Sequence, residues 1–432
     1  MITIYKVLRN FLAVRSFQYL LIFLAPNAQF DNSTELLLRK YCTTDEINKF
    51  WHRNLLNKLL SWDSVFFLKT ALEGKPEFEH EYAFSIVWAK IIRFFSNDSK
   101  DLYHLLTIAL VLENILFVLS LILLFMLTRI TFSKQNRAKT AYGDDIAYKT
   151  ATLFIINSGS GFLTSIYSEP LSFFFAFLGI LAREFAIKVT IPYDIEFPLS
   201  SLPLYVLGTA ISFSIATLNR SNCILLGIFY LYDLYYILRK RNIKKALLFP
   251  VLSGCIMLII FIIQQYYVPY HQFCPGRGEW CNTTVSKFCG LSFLTKKSFY
   301  SFIQSKYWNL GFMKYWTLNN IPNFLFGLPT YIVLFYSTVY FTKMYPNPKL
   351  FPLVLVTRSF LVIMLLFAHV QIVNRVSTFI PLHLWYISDR MNKITNSRKK
   401  EDDDLIIKFY LYWLILWFPI QTLLFAFFLP PA

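Results

Sequence analysis

Leu105–Ile130 reads LLTIALVLENILFVLSLILLFMLTRI, with Glu113 its one carboxylate and Arg129 close to its end. As a helix rising about 1.5 Å per residue, such a run is longer than the ~30 Å of hydrocarbon in a bilayer. It predicts a membrane span, and the rest of the chain repeats the pattern. Of 432 residues, 56% are hydrophobic, 45 are Phe and only 13 are Gly, a composition that excludes an ordinary soluble domain. Eleven helices are expected near Tyr5–Pro26, Leu105–Ile130, Ile146–Ile166, Glu169–Ile187, Leu202–Leu218, Asn222–Leu238, Ala246–Val268, Ile321–Phe341, Phe351–Val370, Thr378–Ile387 and Leu405–Leu429. The tenth is too short to span unaided, so it is either broken or extends into Val376 and Asp389.

Charge orients the set. The net charge of +17 would suggest nucleic acid in a soluble chain, but the basic residues lie in short segments between spans. Lys134, Arg137 and Lys139, then Arg239-Lys240-Arg241 with Lys244-Lys245, then Arg390, Lys393 and Arg398-Lys399-Lys400 fall on the side of the N-terminus, which is read as cytosolic. Lys6, Arg9 and Arg15 before and within the first apolar run raise a signal peptide as an alternative; with no small-residue cleavage pattern after it, the run is read as a retained span. Sequons at Asn32, Asn97, Asn219 and Asn282 all lie opposite the basic side, Asn219 too near the membrane to be an acceptor. Two large lumenal stretches follow, 27–104 and 269–320, within a single membrane domain over 1–432.

Cys223 and Cys255 lie in apolar helices, whereas Cys42, Cys274, Cys281 and Cys289 are lumenal. Cys274 and Cys281 close a short loop and are the preferred disulfide. A zinc site with His271 is the alternative, although the spacing matches no paired-ligand pattern.

A long, acid-rich stretch beside the first span points to a reaction centre at the membrane surface. Its core strings are Ser61-Trp62-Asp63-Ser64-Val65-Phe66-Phe67 and Glu79-His80-Glu81-Tyr82-Ala83-Phe84. Other polar candidates at lumenal helix ends are Asp31, Ser168-Glu169, Arg220 to Asn222, Trp308-Asn309, His369 with Gln371, and Asn374-Arg375. Asp63, beside aromatic residues, suits a general base; it equally suits a helix N-cap. Glu79-His80-Glu81 does not complete a His-Glu-x-x-His zinc pattern, because Phe84 stands where the second His would be. Arg220 and Arg375 could grip a lipid-linked phosphate in two-point geometry, or snorkel to the headgroups. Glu113 and Arg358, deeper in their spans, read as helix packing or snorkelling.

Phe30-Asp31-x-Ser33, Trp62-Asp63-x-x-Phe66-Phe67, Glu79-His80-Glu81-x-Ala83-Phe84, Tyr167-Ser168-Glu169, Arg220-Ser221-Asn222, Tyr307-Trp308-Asn309-x-Gly311-Phe312, Ile321-Pro322-Asn323-Phe324 and His369-Val370-Gln371 together resemble the GPI mannosyltransferase 2 family. The resemblance runs in order from about Phe30 to Arg375. It departs at Leu218-Asn219 and Cys223, around Arg220. It implies an all-α polytopic GT-C glycosyltransferase of the endoplasmic reticulum, about eleven transmembrane helices with a large first lumenal loop. The implied reaction is addition of the second mannose, α-1,6-linked, to the glycosylphosphatidylinositol (GPI) precursor from dolichol-phosphate-mannose, with inversion and with Asp63 as catalytic carboxylate. Implied partners are the GPI precursor glycolipid, dolichol-phosphate-mannose, ER membrane lipid and a small membrane accessory subunit, with no nucleic acid. No cofactor is expected to be tightly bound, and the metal requirement stays open. The alternatives are another dolichol-phosphate-sugar-dependent GT-C transferase, or a lipid transporter or scramblase, which should show inverted repeats with broken helices.

Overall fold

The computed structural model describes residues 2–27, 31–133, 140–190, 194–240, 244–276, 278–282, 297–396 and 403–429. Cys289 and the basic residues Lys134, Arg137, Lys139, Arg241 and Arg398-Lys399-Lys400 lie outside the described residues. Each expected span overlaps a helix: Ile2–Leu24, Leu102–Ser133, Thr140–Ile155, Glu169–Ala186, Leu202–Asn219, Ile228–Arg239, Leu248–Ile262, Ile321–Met344, Phe351–Phe367, Leu382–Asn396 and Asp403–Ala426. The sixth is preceded by a 3-10 stretch, Ser221–Gly227, and the seventh is prolonged by a π turn, Ile263–Tyr267, into Val268–Phe273.

Among the described residues, seven helical stretches are long and apolar enough to cross a membrane, and Phe351–Phe367 is a shorter apolar one. The remaining three, Thr140–Ile155, Glu169–Ala186 and Leu382–Asn396, are shorter or more charged, and the last two turn most of their charged groups inward. Glu169, Arg183, Glu184, His383, Asp389 and Arg390 are all buried. Charged groups persist at membrane depth when protein partners replace water. Asp389 accepts from Tyr345 Oη at 2.9 Å and pairs with Lys393 Nζ at 3.1 Å, with Tyr142 and Tyr340 also bonded to it.

Two helices differ most in their bounds from the sequence reading. The tenth helix starts at Leu382, after Pro381, and runs on to Asn396. The residue before a proline is driven extended, and Ile380 is so at φ −104° and ψ 107°, which keeps the helix from starting earlier. Past Ile387 it continues because Asp389 has partners. The third helix stops at Ile155, where Asn157-Ser158-Gly159-Ser160-Gly161 begins, residues that favour turns. The chain from 156 to 168 is then a compact turn region with one 3-10 turn, Phe162–Thr164, rather than a completed span. One small hairpin, Lys188–Thr190 with Asp194–Glu196, breaks the all-helical pattern.

Helices alternate in direction, so the ends at Leu24, Leu102, Ile155, Glu169, Asn219, Phe273, Ile321, Phe367, Leu382 and Ala426 share one face. The described parts of the 27–104 and 269–320 stretches fold together on it. Lys58 Nζ donates to the carbonyls of Ile22 and Phe23, both at 3.1 Å, capping the end of the first helix. Trp88, fully buried, donates through Nε1 to Ile166 O at 2.8 Å. Cys274 and Cys281 are joined by a disulfide, with their Cα atoms 5.5 Å apart. Beside it, Glu79 accepts from the backbone of Trp280 at 3.1 Å and Gln272 Nε2 donates to Pro76 O at 2.8 Å, stitching the two stretches together.

At the opposite end, Arg183 donates to Asp233 from Nε at 2.8 Å and Nη2 at 2.5 Å, and Tyr205 Oη donates to the same carboxylate at 2.6 Å. Removing one partner of a buried pair strands the other charge. Asp233→Ala should therefore destabilise the protein by about 3–5 kcal/mol, read as a lower unfolding temperature in detergent, whereas Asp194→Ala at the exposed hairpin should change it little.

Candidate active site

A cavity of about 680 Å³ opens at the end of the bundle where the two large stretches meet. That volume suits a sugar with part of a lipid carrier. Asp63 lies at its wall as the first residue of helix Asp63–Glu73. The residue before it, Trp62, has φ +58°, a backbone conformation that aromatic residues rarely adopt. Such strain persists only where the surroundings impose it. Here Trp62 packs edge-on against Phe428 at 5.1 Å, and the Asp63 backbone N–H donates to Tyr167 Oη at 3.2 Å. The cap position belongs to Trp62, with no side-chain cap, so Asp63 is not the N-cap. Its side chain is committed elsewhere.

Arg375 Nη1 donates to Asp63 Oδ2 at 2.7 Å, across 312 residues of chain. The same guanidinium has its Nε 3.1 Å from Glu169 Oε1, and Arg220 Nη2 donates to that oxygen at 2.7 Å. Asp63, Arg375, Glu169 and Arg220 thus form one alternating string of charges, with side-chain exposures of 22%, 11%, 3% and 13%. Rings close it from the side: Phe162 and Tyr167 lie 5.0 and 5.1 Å from the Arg375 guanidinium carbon, and Phe67 lies 5.6 Å from that of Arg220. Stacking and ion pairing fix both arginines in place, which a snorkelling side chain would not require.

Around this string the walls differ. Asn222, Trp308, His369 and Gln371 line the cavity, as does Asn323 of the Ile321–Phe324 string, and Gln265, Tyr300 and Gln304 add neutral hydrogen-bonding groups that sequence reading did not single out. Gln265, in the π turn, carries the only signal that could have found it, an amide inside an apolar helix. Burial holds the His369 imidazole below its ordinary value, against the raising effect of a hydrogen bond with the Trp308 backbone, and favours the neutral ring. The other wall is apolar, with Phe261, Phe360, Met364 and Phe367.

Several sequence candidates lie off the cavity lining. Glu81 accepts from Lys69 at 2.6 Å and from the Glu77 backbone at 2.7 Å, fixing its own turn. Glu79 holds Trp280 and accepts from Tyr307 Oη at 3.3 Å. His80 sits among Phe66, Phe78 and Tyr307, and burial lowers its pKa. Asp31 accepts from the Ser33 backbone at 2.7 Å on the exposed surface, and Asn309 is an exposed turn residue at φ +51°. Glu169 is not itself on the lining; it acts through the two arginines. Asn32 and Asn97 are exposed, the Asn282 side chain lies outside the described residues, and Asn219 is buried, donating to Ser168 O at 2.7 Å. Among the described residues no cluster of three His, Cys, Asp or Glu side chains is placed to hold a metal ion.

Comparison with known proteins agrees with a glycosyl-transfer site. A Candida glabrata protein described as GPI mannosyltransferase 2 is 59% identical over 424 residues, spanning 98% of each chain. Proteins of the same description from Saccharomyces cerevisiae and Schizosaccharomyces pombe are 51% and 32% identical, covering 98% and 93% of this chain and 98% and 79% of theirs. Among solved structures, the apo Archaeoglobus fulgidus oligosaccharyltransferase aligns with 91% of this chain and 54% of its own at 12% identity, with a TM-score of 0.45. The family described as Mannosyltransferase (PIG-V) matches residues 4–348 and 344–432, and the chain belongs to that family of mannosyltransferases.

Proposed function

We propose that the cavity transfers mannose from dolichol-phosphate-mannose to the one-mannose GPI precursor, forming the α-1,6 bond of the second mannose, in the lumen of the endoplasmic reticulum and on a GT-C type frame. The observation that carries this reading is the Asp63–Arg375–Glu169–Arg220 string at a cavity with one polar and one apolar wall. The apolar wall suits the polyprenyl chain, and the neutral amides with Trp308 suit sugars. The surrounding ER lipid and a small membrane accessory subunit complete the partners.

Inversion is a single displacement. The acceptor 6-hydroxyl gives its proton to Asp63 as its oxygen bonds to the anomeric carbon, and the bond from that carbon to the phosphate oxygen breaks, leaving dolichyl phosphate with the extra negative charge. Attacking and leaving oxygens stand on opposite faces of the carbon, so base and phosphate clamp need separation. Arg375, bonded to Asp63, is on the base's side. It takes Oδ2 and orients the carboxylate so that Oδ1 serves the acceptor. Arg220, reached only through Glu169, is the phosphate partner.

In microsomes converting the one-mannose to the two-mannose precursor, Asp63→Asn should insert normally and lose activity about 10²–10⁴-fold. Normal turnover would reject the base. Arg220→Lys keeps charge but loses two-point contact, so donor KM should rise most; Arg375→Lys should mainly lower kcat. The reverse split would exchange their roles.

Exposed Asn32 and Asn97 on the cavity face, opposite the basic segments, support a lumenal cavity and a cytosolic N-terminus. Glycosidase-sensitive glycans should appear only on sequons of the cavity face, and a glycan accepted at a sequon placed near Lys244 would invert the topology.

A further inference from the structure

The first helix carries an arginine that the transfer chemistry leaves unused. Arg15 is 6% exposed, midway along Ile2–Leu24, at a depth where a charge is costly unless a role retains it. Glu113 is the obvious partner, yet the gap from Arg15 Nη2 to Glu113 Oε1 is 3.6 Å, and neither carboxylate oxygen makes a hydrogen bond among the described residues. The directed contact is another one: Arg15 Nη1 donates to the carbonyl of Leu163. Phe11 and Phe117 flank the guanidinium at 5.3 and 5.1 Å and fix its plane.

Leu163 belongs to the turn region that ended the third helix early, and its neighbour Phe162 is the ring on Arg375. The region is pinned from all sides. Gln18 Nε2 donates to Ser160 O at 3.1 Å, Gln421 Oε1 accepts from the Gly161 backbone at 2.9 Å, and Ser158 Oγ donates to Asn374 O at 2.7 Å. At Gly159 a Cβ would come within 3.0 Å of Arg375 Cα, so this backbone lies directly against the strand of chain that carries the arginine.

We infer that Arg15 is a positioning residue for the transfer: through the Leu163 carbonyl it holds Phe162 against the Arg375 guanidinium, and so aims Asp63. The inference rests on the reading that Arg375 orients Asp63. Glu113 then serves to balance the charge of Arg15 in the membrane and has no part in the aim.

The test compares purified full-length variants: Arg15→Leu with Glu113→Leu, which strands no charge, Glu113→Gln alone, and Phe162→Leu, which keeps Arg15 and Leu163 but removes the ring. The double variant and Phe162→Leu should unfold near the wild-type temperature, lose kcat about 10- to 100-fold and keep donor KM within about twofold, while Glu113→Gln keeps wild-type kcat. Arg15→Lys with Glu113→Gln, which restores a donor to Leu163, should regain most of the turnover. Wild-type kcat in the double variant would reduce Arg15 to a partner of Glu113 and overturn the inference, as would a loss in Glu113→Gln equal to that of the double variant. If the double variant does not insert, Phe162→Leu decides alone: a kcat loss supports the inference, and wild-type kcat overturns it. Arg375→Lys separates the two levels, because unchanged kcat there refutes the orienting role of Arg375. Impaired kcat in Arg375→Lys, with full turnover in Phe162→Leu and the double variant, refutes only the role of Arg15.

Discussion

One guanidinium holds the cavity end of this protein together. Arg375 bonds Asp63 from the first large stretch and lies 3.1 Å from Glu169 at the start of Glu169–Ala186, which in turn accepts from Arg220 at the end of Leu202–Asn219. Four separate parts of the chain are brought to one point by charge rather than by apolar packing. Such a string is expensive to desolvate, and it survives because each charge has an opposite neighbour and aromatic faces exclude water. Apolar replacements would satisfy stability equally well. Reaction chemistry is the reason to keep them.

The frame around that point is divided in two. Long apolar helices meet lipid, while the charged or shorter ones, Thr140–Ile155, Glu169–Ala186 and Leu382–Asn396, are shielded by them. That division lets helices with Glu169, Asp389 and Arg390 sit inside a membrane protein, and it concentrates ionic networks at both ends of the core. At the far end the Arg183–Asp233 and Lys349–Glu184 pairs are closed on themselves and serve the scaffold. At the cavity end, by contrast, Asp63, Arg220 and Arg375 line the cavity.

Helix existence was legible because an apolar run of sufficient length has few other fates, and Asp63, Glu169, Arg220 and Arg375 were legible as costly charges at helix ends. Their pairing was not. A contact between residues 63 and 375 leaves no local pattern, and neither does the choice of Trp62 over Asp63 as the cap. Glu79, Glu81 and Asp31 are carboxylates like those that bond the cavity arginines, but within a short turn the sequence does not say which face a side chain takes. The Asn157 to Gly161 break was visible as turn-forming composition inside an apolar run, and reading it as a span concealed the segment that cradles Arg375. Arg15 was legible only as a positive flank of the first span, since its partner at Leu163 is a backbone carbonyl.

We propose that transfer takes place between Asp63 and Arg220. A structure of the full-length protein with dolichol-phosphate-mannose bound measures this directly. Transfer there requires a donor phosphate oxygen within about 2.7–3.2 Å of an Arg220 nitrogen, with the anomeric carbon on the side facing Asp63. A phosphate seated away from Arg220, with Asp63 beyond reach of the anomeric carbon and of the hydroxyl that attacks it, would contradict it.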